Sequence, residues 1–227
     1  MPGTSRRADL VALQALQNAF ELEIQTFVAA YEELATTRSY ASSSDFSLET
    51  ECLLEGILSR VWQSWNKFCR QVIVESCLGT QTLSGPVAAT PPAVSEQAVS
   101  AASIRVKNKA AVVWQGTNSL LRREPTWGDV DSLLDIVNGL APSNAATLLG
   151  LCTMATPAAK VLQAIRNAAA HQNQETMATL GTLSLTYSAF AITHPCQSLF
   201  WVDGTSGELL LLSAVENLKD AAVYCVL

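Results

Sequence analysis

Residues 46–78 read FSLETECLLEGILSRVWQSWNKFCRQVIVESCL, and the apolar spacing in this stretch decides the fold class. Leu54, Ile57, Val61, Trp65, Phe68 and Val72 recur every three or four residues, which puts them on one face of an α-helix. Glu49 and Glu51 fall in its first turn and Gly79 follows its end, matching the helix dipole and the left-handed C-cap. Toward the N-terminus, Ala8 to Thr37 carries a second seam, Phe20, Ile24, Phe27, Tyr31 and Leu34, which Leu10, Leu13 and Leu16 extend backwards. The polar run Arg38 to Ser44 separates the two. Two helices of about thirty residues joined by a short break predict an antiparallel helical hairpin.

Toward the C-terminus the pattern is less regular. Residues 79–102 are rich in Ser, Thr, Pro, Gly and Ala and read as a flexible loop. Ile104 to Trp114 is ambiguous between strand and helix. Trp127-Gly128-Asp129 opens a short helix with Val130, Leu133, Leu134 and Val137 on one face, closed by Asn138-Gly139. Thr156-Pro157 reads as a helix start, a hydroxyl N-cap before proline, and that helix carries Val161, Leu162, Ile165 and Ala169 inward to about His171. Leu199 to Val202 and Leu209 to Leu212 flank Asp203-Gly204-Thr205-Ser206-Gly207 as a small β-hairpin. Ser213 and Glu216 form a capping box for a last helix to about Tyr224. No internal repeat is present. The expected fold is mostly α, one bundle-like domain over residues 1–227 with a minor β element.

Apolar residues make up 49% of the 227 and charged residues 15%, which excludes disordered and low-complexity classes. Six cysteines show no Cys-x-x-Cys pair and no zinc spacing, and the chain opens on Met1 to Arg7 with no signal-peptide pattern. They read as reduced core thiols of a cytoplasmic protein. Two uncharged stretches, Ile136 to Ala159 and Thr176 to Val202, are broken by Pro, Gly, Asn and His, so no membrane span is expected. The net charge is −6, yet residues 56–123 carry eight bases and two acids, a local +6. Arg105, Lys107, Lys109, Arg122 and Arg123 lie where no acid intervenes, with Trp114 and Trp127 nearby. Such a band can hold a nucleic-acid backbone and stack a base; it also describes an ordinary solvated face.

Only two histidines narrow the search for chemistry. His194 has no acidic or cysteine neighbour in the sequence that suggests a role, and it reads as structural. His171 closes the run Arg166-Asn167-Ala168-Ala169-Ala170-His171. On an ideal helix Asn167 and His171 are superposed, so the amide is placed to orient the imidazole. Arg166 lies about 140° round the axis from His171. A single straight helix cannot aim both at one atom; a distorted helix end, or two copies across a twofold axis, can.

This Arg-polar-x-x-x-His run, late in a helical chain that starts with two long helices bearing Trp62, Trp65 and Phe68, resembles the HEPN superfamily, many of whose members are ribonucleases. The resemblance implies a HEPN-like bundle and metal-independent cleavage of RNA. The 2′-hydroxyl attacks phosphorus, leaving a 2′,3′-cyclic phosphate and a 5′-hydroxyl. It implies proton transfer by His171, charge stabilisation by Arg166 and positioning by Asn167, with no cofactor and no metal. It further implies an RNA substrate, a homodimer with a composite site, and a toxin or antiviral-defence role with an antitoxin or regulatory partner. Some toxins of the family carry Tyr two residues after the His, where this chain has Asn173, so that mode of control is not implied.

Two other readings compete. In a non-catalytic helical interaction or scaffold protein, Arg166 and His171 would decorate a helix C-terminus that favours cations. A catalytic pair is instead expected to be accessible beside a groove and unsatisfied by its own chain. A metal-dependent hydrolase is weakly supported, because Glu49, Glu51 and Glu55 suit a solvated helix start better than a ligand shell.

Overall fold

The computed structural model describes residues 12–90, 93–108 and 123–227. Helix α1 (Leu13–Thr37) and helix α2 (Leu48–Leu78) form the hairpin that the periodicity predicts. All six residues of the α2 stripe are buried, and α1 presents Phe20, Ile24 and Tyr31 to them. The Phe20 ring stacks on Phe68 at 4.8 Å and tilts against Trp65 at 5.9 Å. Phe27 and Leu34 sit only at the edge of this core, because a 3.6-residue period drifts off a strict heptad over several turns. Ser47 caps α2 through its hydroxyl, and Gly79 leaves it at φ +94°, a conformation that favours glycine.

The stretch read as a flexible loop is largely ordered. Strands β1 (Thr80–Thr82) and β2 (Gly85–Val87) make a tight antiparallel hairpin, pairing Thr80 with Val87 and Thr82 with Gly85. The chain's C-terminus docks on its turn: Leu83 N–H donates to the Val226 carbonyl at 2.9 Å. Helix α3 (Glu96–Asn108) then begins inside the supposed loop. Its Ala and Ser residues, read as loop composition, let it lie close to its neighbours, with Ser100 and Ser103 buried beside Val99 and Ile104. The ambiguous stretch is helical from Ile104 to Asn108; its remainder lies outside the described residues.

Helix α4 (Val130–Leu140) starts on the carboxylate of Asp129, as expected, and ends one residue beyond Gly139. Helix α5 (Ala145–Ala170) corrects the proposed start at Thr156. It runs straight through Pro157, and the Thr156 hydroxyl donates back to the Cys152 carbonyl at 2.7 Å instead of capping. Proline in a helix interior costs about 3 kcal/mol. Burying Leu148, Leu151, Cys152 and Ala155 ahead of it, and Ala158, Val161, Leu162 and Ile165 behind it, outweighs that cost. By length and composition α5 is apolar enough to cross a membrane; here it is the central helix, packed between α4, α2 and the last helices.

Helix α6 (Gln174–Leu183) folds back on α5, and the chain returns through strand β3 (Tyr187–Ser188), a 3-10 turn at Pro195–Phe200 and strand β4 (Val202–Asp203). Strands β3 and β4 pair antiparallel, the small C-terminal β element of a mostly helical fold. Its details differ from the expected hairpin. Leu209 bridges Val202, but Leu210 already begins helix α7 (Leu210–Tyr224). Ser213 therefore lies in the first turn, where its hydroxyl donates to Asp203 at 2.8 Å instead of forming the expected cap.

Cys69, Cys77, Cys152, Cys196 and Cys225 are buried free thiols and Cys52 is exposed. Burial pushes Cys77 up to about 11, and Cys152 and Cys225 up to about 12, so these remain protonated packing groups at neutral pH.

Candidate functional site

The end of α5 is built by its apolar residues. Ile165 and Ala168 are buried, which turns Arg166 outward to solvent and leaves Asn167 half-buried toward α6. At His171 the backbone leaves the helix (φ −139°, ψ 66°), so the exposed imidazole departs from the ideal spiral. The turn into α6 is tightly hydrogen-bonded. The Thr176 hydroxyl donates to the His171 carbonyl at 2.8 Å, and the Asn173 side chain accepts from Thr176 N–H at 3.0 Å. Asn173 is thus a helix cap.

Asn167 does not hold the imidazole as expected. The bond between the two is a backbone one, His171 N–H to the Asn167 carbonyl at 2.9 Å. With the ring off the helical spiral, superposition of residues four apart no longer applies. Asn167 instead lines a groove of about 410 Å³ between α5 and α6, with Lys160, Gln163, Glu175, Thr176 and Thr179. Lys160 is already ion-paired with Asp131. Among the described residues, neither Arg166 nor His171 has a side-chain hydrogen bond or ion pair. An exposed guanidinium and an exposed imidazole without partners are groups that can take an anion and move a proton.

The basic band is placed only in part. Lys109, Trp114 and Arg122 lie outside the described residues. Arg105 and Lys107 are exposed on the last turn of α3. Arg105 lines a cavity of about 250 Å³ with Gly139 and Leu140, near the start of α5, and Lys107 approaches Asp135 at 3.9 Å. Arg166 lies 21 residues along α5 from Ala145, roughly 30 Å at helical rise. Arg105 and Arg166 are therefore not brought together within one chain. Arg123 is exposed, whereas Trp127 is buried and donates its ring N–H to Glu124 at 2.9 Å, which removes it as a stacking platform.

A polar network that the sequence did not reveal ties up another base of residues 56–123. Arg70, counted among the bases of residues 56–123, grips Glu124 through two bonds at 2.7 and 2.9 Å and reaches Glu96 at 2.7 Å. Ser100 also donates to Glu124. Burial alone would raise the Glu124 carboxyl, but the bonds from Arg70, Ser100 and Trp127, with the guanidinium charge, hold it below its ordinary value. The signal in sequence is faint: Glu124 is merely the first acid after the acid-free run.

His194 does have an acidic neighbour, Glu55, which lies far off in the sequence, and it contacts Cys196 two residues on. Its Nε2 lies 3.0 Å from Glu55 of α2, and its Nδ1 accepts from the Cys196 N–H at 3.3 Å. No protein-family model matches this chain, and no curated protein or solved structure matches it either.

Proposed function

We propose that this chain is a metal-independent endoribonuclease of the HEPN type, acting as a homodimer on RNA. The observation that carries the reading is the state of Arg166 and His171: both are exposed at the end of α5 with no side-chain partner among the described residues, and Asn167 between them lines the α5–α6 groove. A pair serving only structure would be satisfied by its own chain. In the reaction His171 removes the proton from the ribose 2′-hydroxyl as the 2′-oxygen bonds to phosphorus. The bond from phosphorus to the 5′-oxygen then breaks, and an imidazolium returns a proton to that oxygen. Arg166 places its planar fork on the non-bridging oxygens as charge builds there. Asn167, in the groove, positions the nucleotide. Two copies pool Arg166 and His171 across a twofold axis in this reading. A cytoplasmic toxin or antiviral effector held in check by an antitoxin or regulatory partner is the role that fits such an activity.

The test incubates wild type and His171→Ala with tRNA and single-stranded RNA in EDTA and maps the ends. Cleavage by wild type alone, leaving 2′,3′-cyclic phosphate and 5′-hydroxyl ends, is the expected result. DNA stays intact, since it lacks the attacking hydroxyl. A folded dimer that cuts nothing favours a helical scaffold protein, and equal cutting by both proteins removes His171 from the site.

A further inference from the structure

A second cluster lies away from α5, where the segment His194-Pro195-Cys196 packs on the first half of α2. Ligand atoms of Glu55, His194 and Cys196 all lie within 4.8 Å of one another. Their types differ: one carboxylate oxygen, one imidazole nitrogen and one sulfur. That mixed set suits zinc and its borderline-soft relatives and disfavours calcium and magnesium, which take oxygen. Zinc bonds of about 2.0–2.3 Å put tetrahedral ligands roughly 3.3–3.6 Å apart. The 3.0 Å between Nε2 and Glu55 needs only a small opening, and the Glu55 side chain, half in solvent, is free to make it.

The frame behind the cluster is stiff. Gln197 is fully buried, donates to Glu51 at 2.7 Å and accepts from Thr193 N–H at 2.9 Å. Tyr31 donates to the Leu199 carbonyl at 2.7 Å. The Pro195–Phe200 turn is thereby fastened to α1 and α2 before any ligand arrives.

We propose that Glu55, His194 and Cys196 form a binding site for a divalent cation of the zinc class, with the fourth position open to water on the Glu55 side. The cation takes the sulfur as thiolate, and the thiol proton goes to solvent. His194 binds through Nε2, and its ring proton moves to Nδ1. The bond thereby given up, from the Cys196 N–H, is a long one at 3.3 Å. The bound ion would staple the 193–200 segment to α2. The site stands independently of Arg166 and His171, and the proposed RNA cleavage does not pass through it.

The test titrates the reduced full chain with Co²⁺ and follows absorbance. A thiolate-to-cobalt charge-transfer band that saturates at one equivalent, and that Zn²⁺ displaces, is expected. Cys196→Ser abolishes the band and Cys52→Ser leaves it unchanged. His194→Gln and Glu55→Gln weaken binding about tenfold or more. Should Cys196→Ser fail to fold, the surface variant Glu55→Gln still decides, read also as loss of a Zn²⁺-induced rise in Tm. The proposal is overturned by wild type showing no thiolate band, by a band that persists without Cys196, by one that vanishes without Cys52, or by affinity untouched in both His194→Gln and Glu55→Gln.

Discussion

Arg166 and His171 were legible as a candidate pair because their types and spacing are local facts of the chain, and the structure places both in solvent. Exposed residues without partners contribute little to stability, within about 0.5 kcal/mol on removal. Arg166→Ala and His171→Ala are therefore expected to keep the wild-type Tm while cutting RNA about 10²- to 10⁴-fold more slowly. A fall in Tm with the activity would mark the pair as structural. Glu124 is the opposite kind of residue. Its partners come from α2, α3 and the chain before α4, so no local pattern announces it. Removing Arg70 leaves the mostly buried Glu124 carboxylate without its cation, and removing Glu124 leaves Arg70 with Glu96 alone. Discounted for the partial exposure of Arg70, that costs about 1–3 kcal/mol. The carboxyl sits below its ordinary value when folded, so its contribution is complete at neutral pH. It fades as pH falls below the usual carboxylate range, near ~4.3, toward the lower folded value. Thermal melts of wild type and Glu124→Gln are expected to differ most near neutrality and to converge in acid; a constant gap would discard the account.

At the scale of elements, the two long helices followed from periodicity, since six or more apolar residues in register leave one solution for burial. The errors came where local signals meet tertiary demand. Thr156-Pro157 is a sound start signal, yet both flanks of Pro157 bury apolar residues in one rod, and α5 carries the proline as a fault. Pro157→Ala restores an N–H for the Thr153 carbonyl and is expected to raise stability by about 1–3 kcal/mol in denaturant unfolding. A loss would mean that the packing around α5 requires the proline ring. Small residues misled in the other direction: Ala and Ser in residues 93–103 suggest a loop by composition but serve α3 by letting it approach. Gly139 shows how close. A Cβ there would stand 2.5 Å from Val106 Cγ1 and 3.1 Å from its Cβ, a β-branched stem that cannot swing aside. Gly139→Ala gains up to about 1 kcal/mol in helix propensity. The clash between α3 and α4 is worth more, about 1–3 kcal/mol, so a lower Tm is expected from the calorimeter.

For the whole molecule, the proposed reaction requires two chains, and complementation measures that directly. Arg166→Ala and His171→Ala, each inactive alone, are mixed and allowed to exchange subunits. One of the two sites in each heterodimer is then intact. Activity should return to about a quarter of wild type; none returning would place both groups in one chain's site. The sequence by itself determined the helical class, the leading hairpin and the candidate pair at the end of α5. These depend on periodicity and neighbours within a few residues, which the chain carries locally. Of the six cysteines that read as core thiols, the structure buries five and exposes Cys52. Only the tertiary structure decided that α5 continues through its proline and that Arg105 stands far from Arg166. It alone fastened Arg70 to Glu124 and brought His194 and Cys196 to Glu55 across some 140 residues. Each of these is set by which helices pack together, and that choice minimises exposed apolar area over the entire chain, a sum that no short window contains.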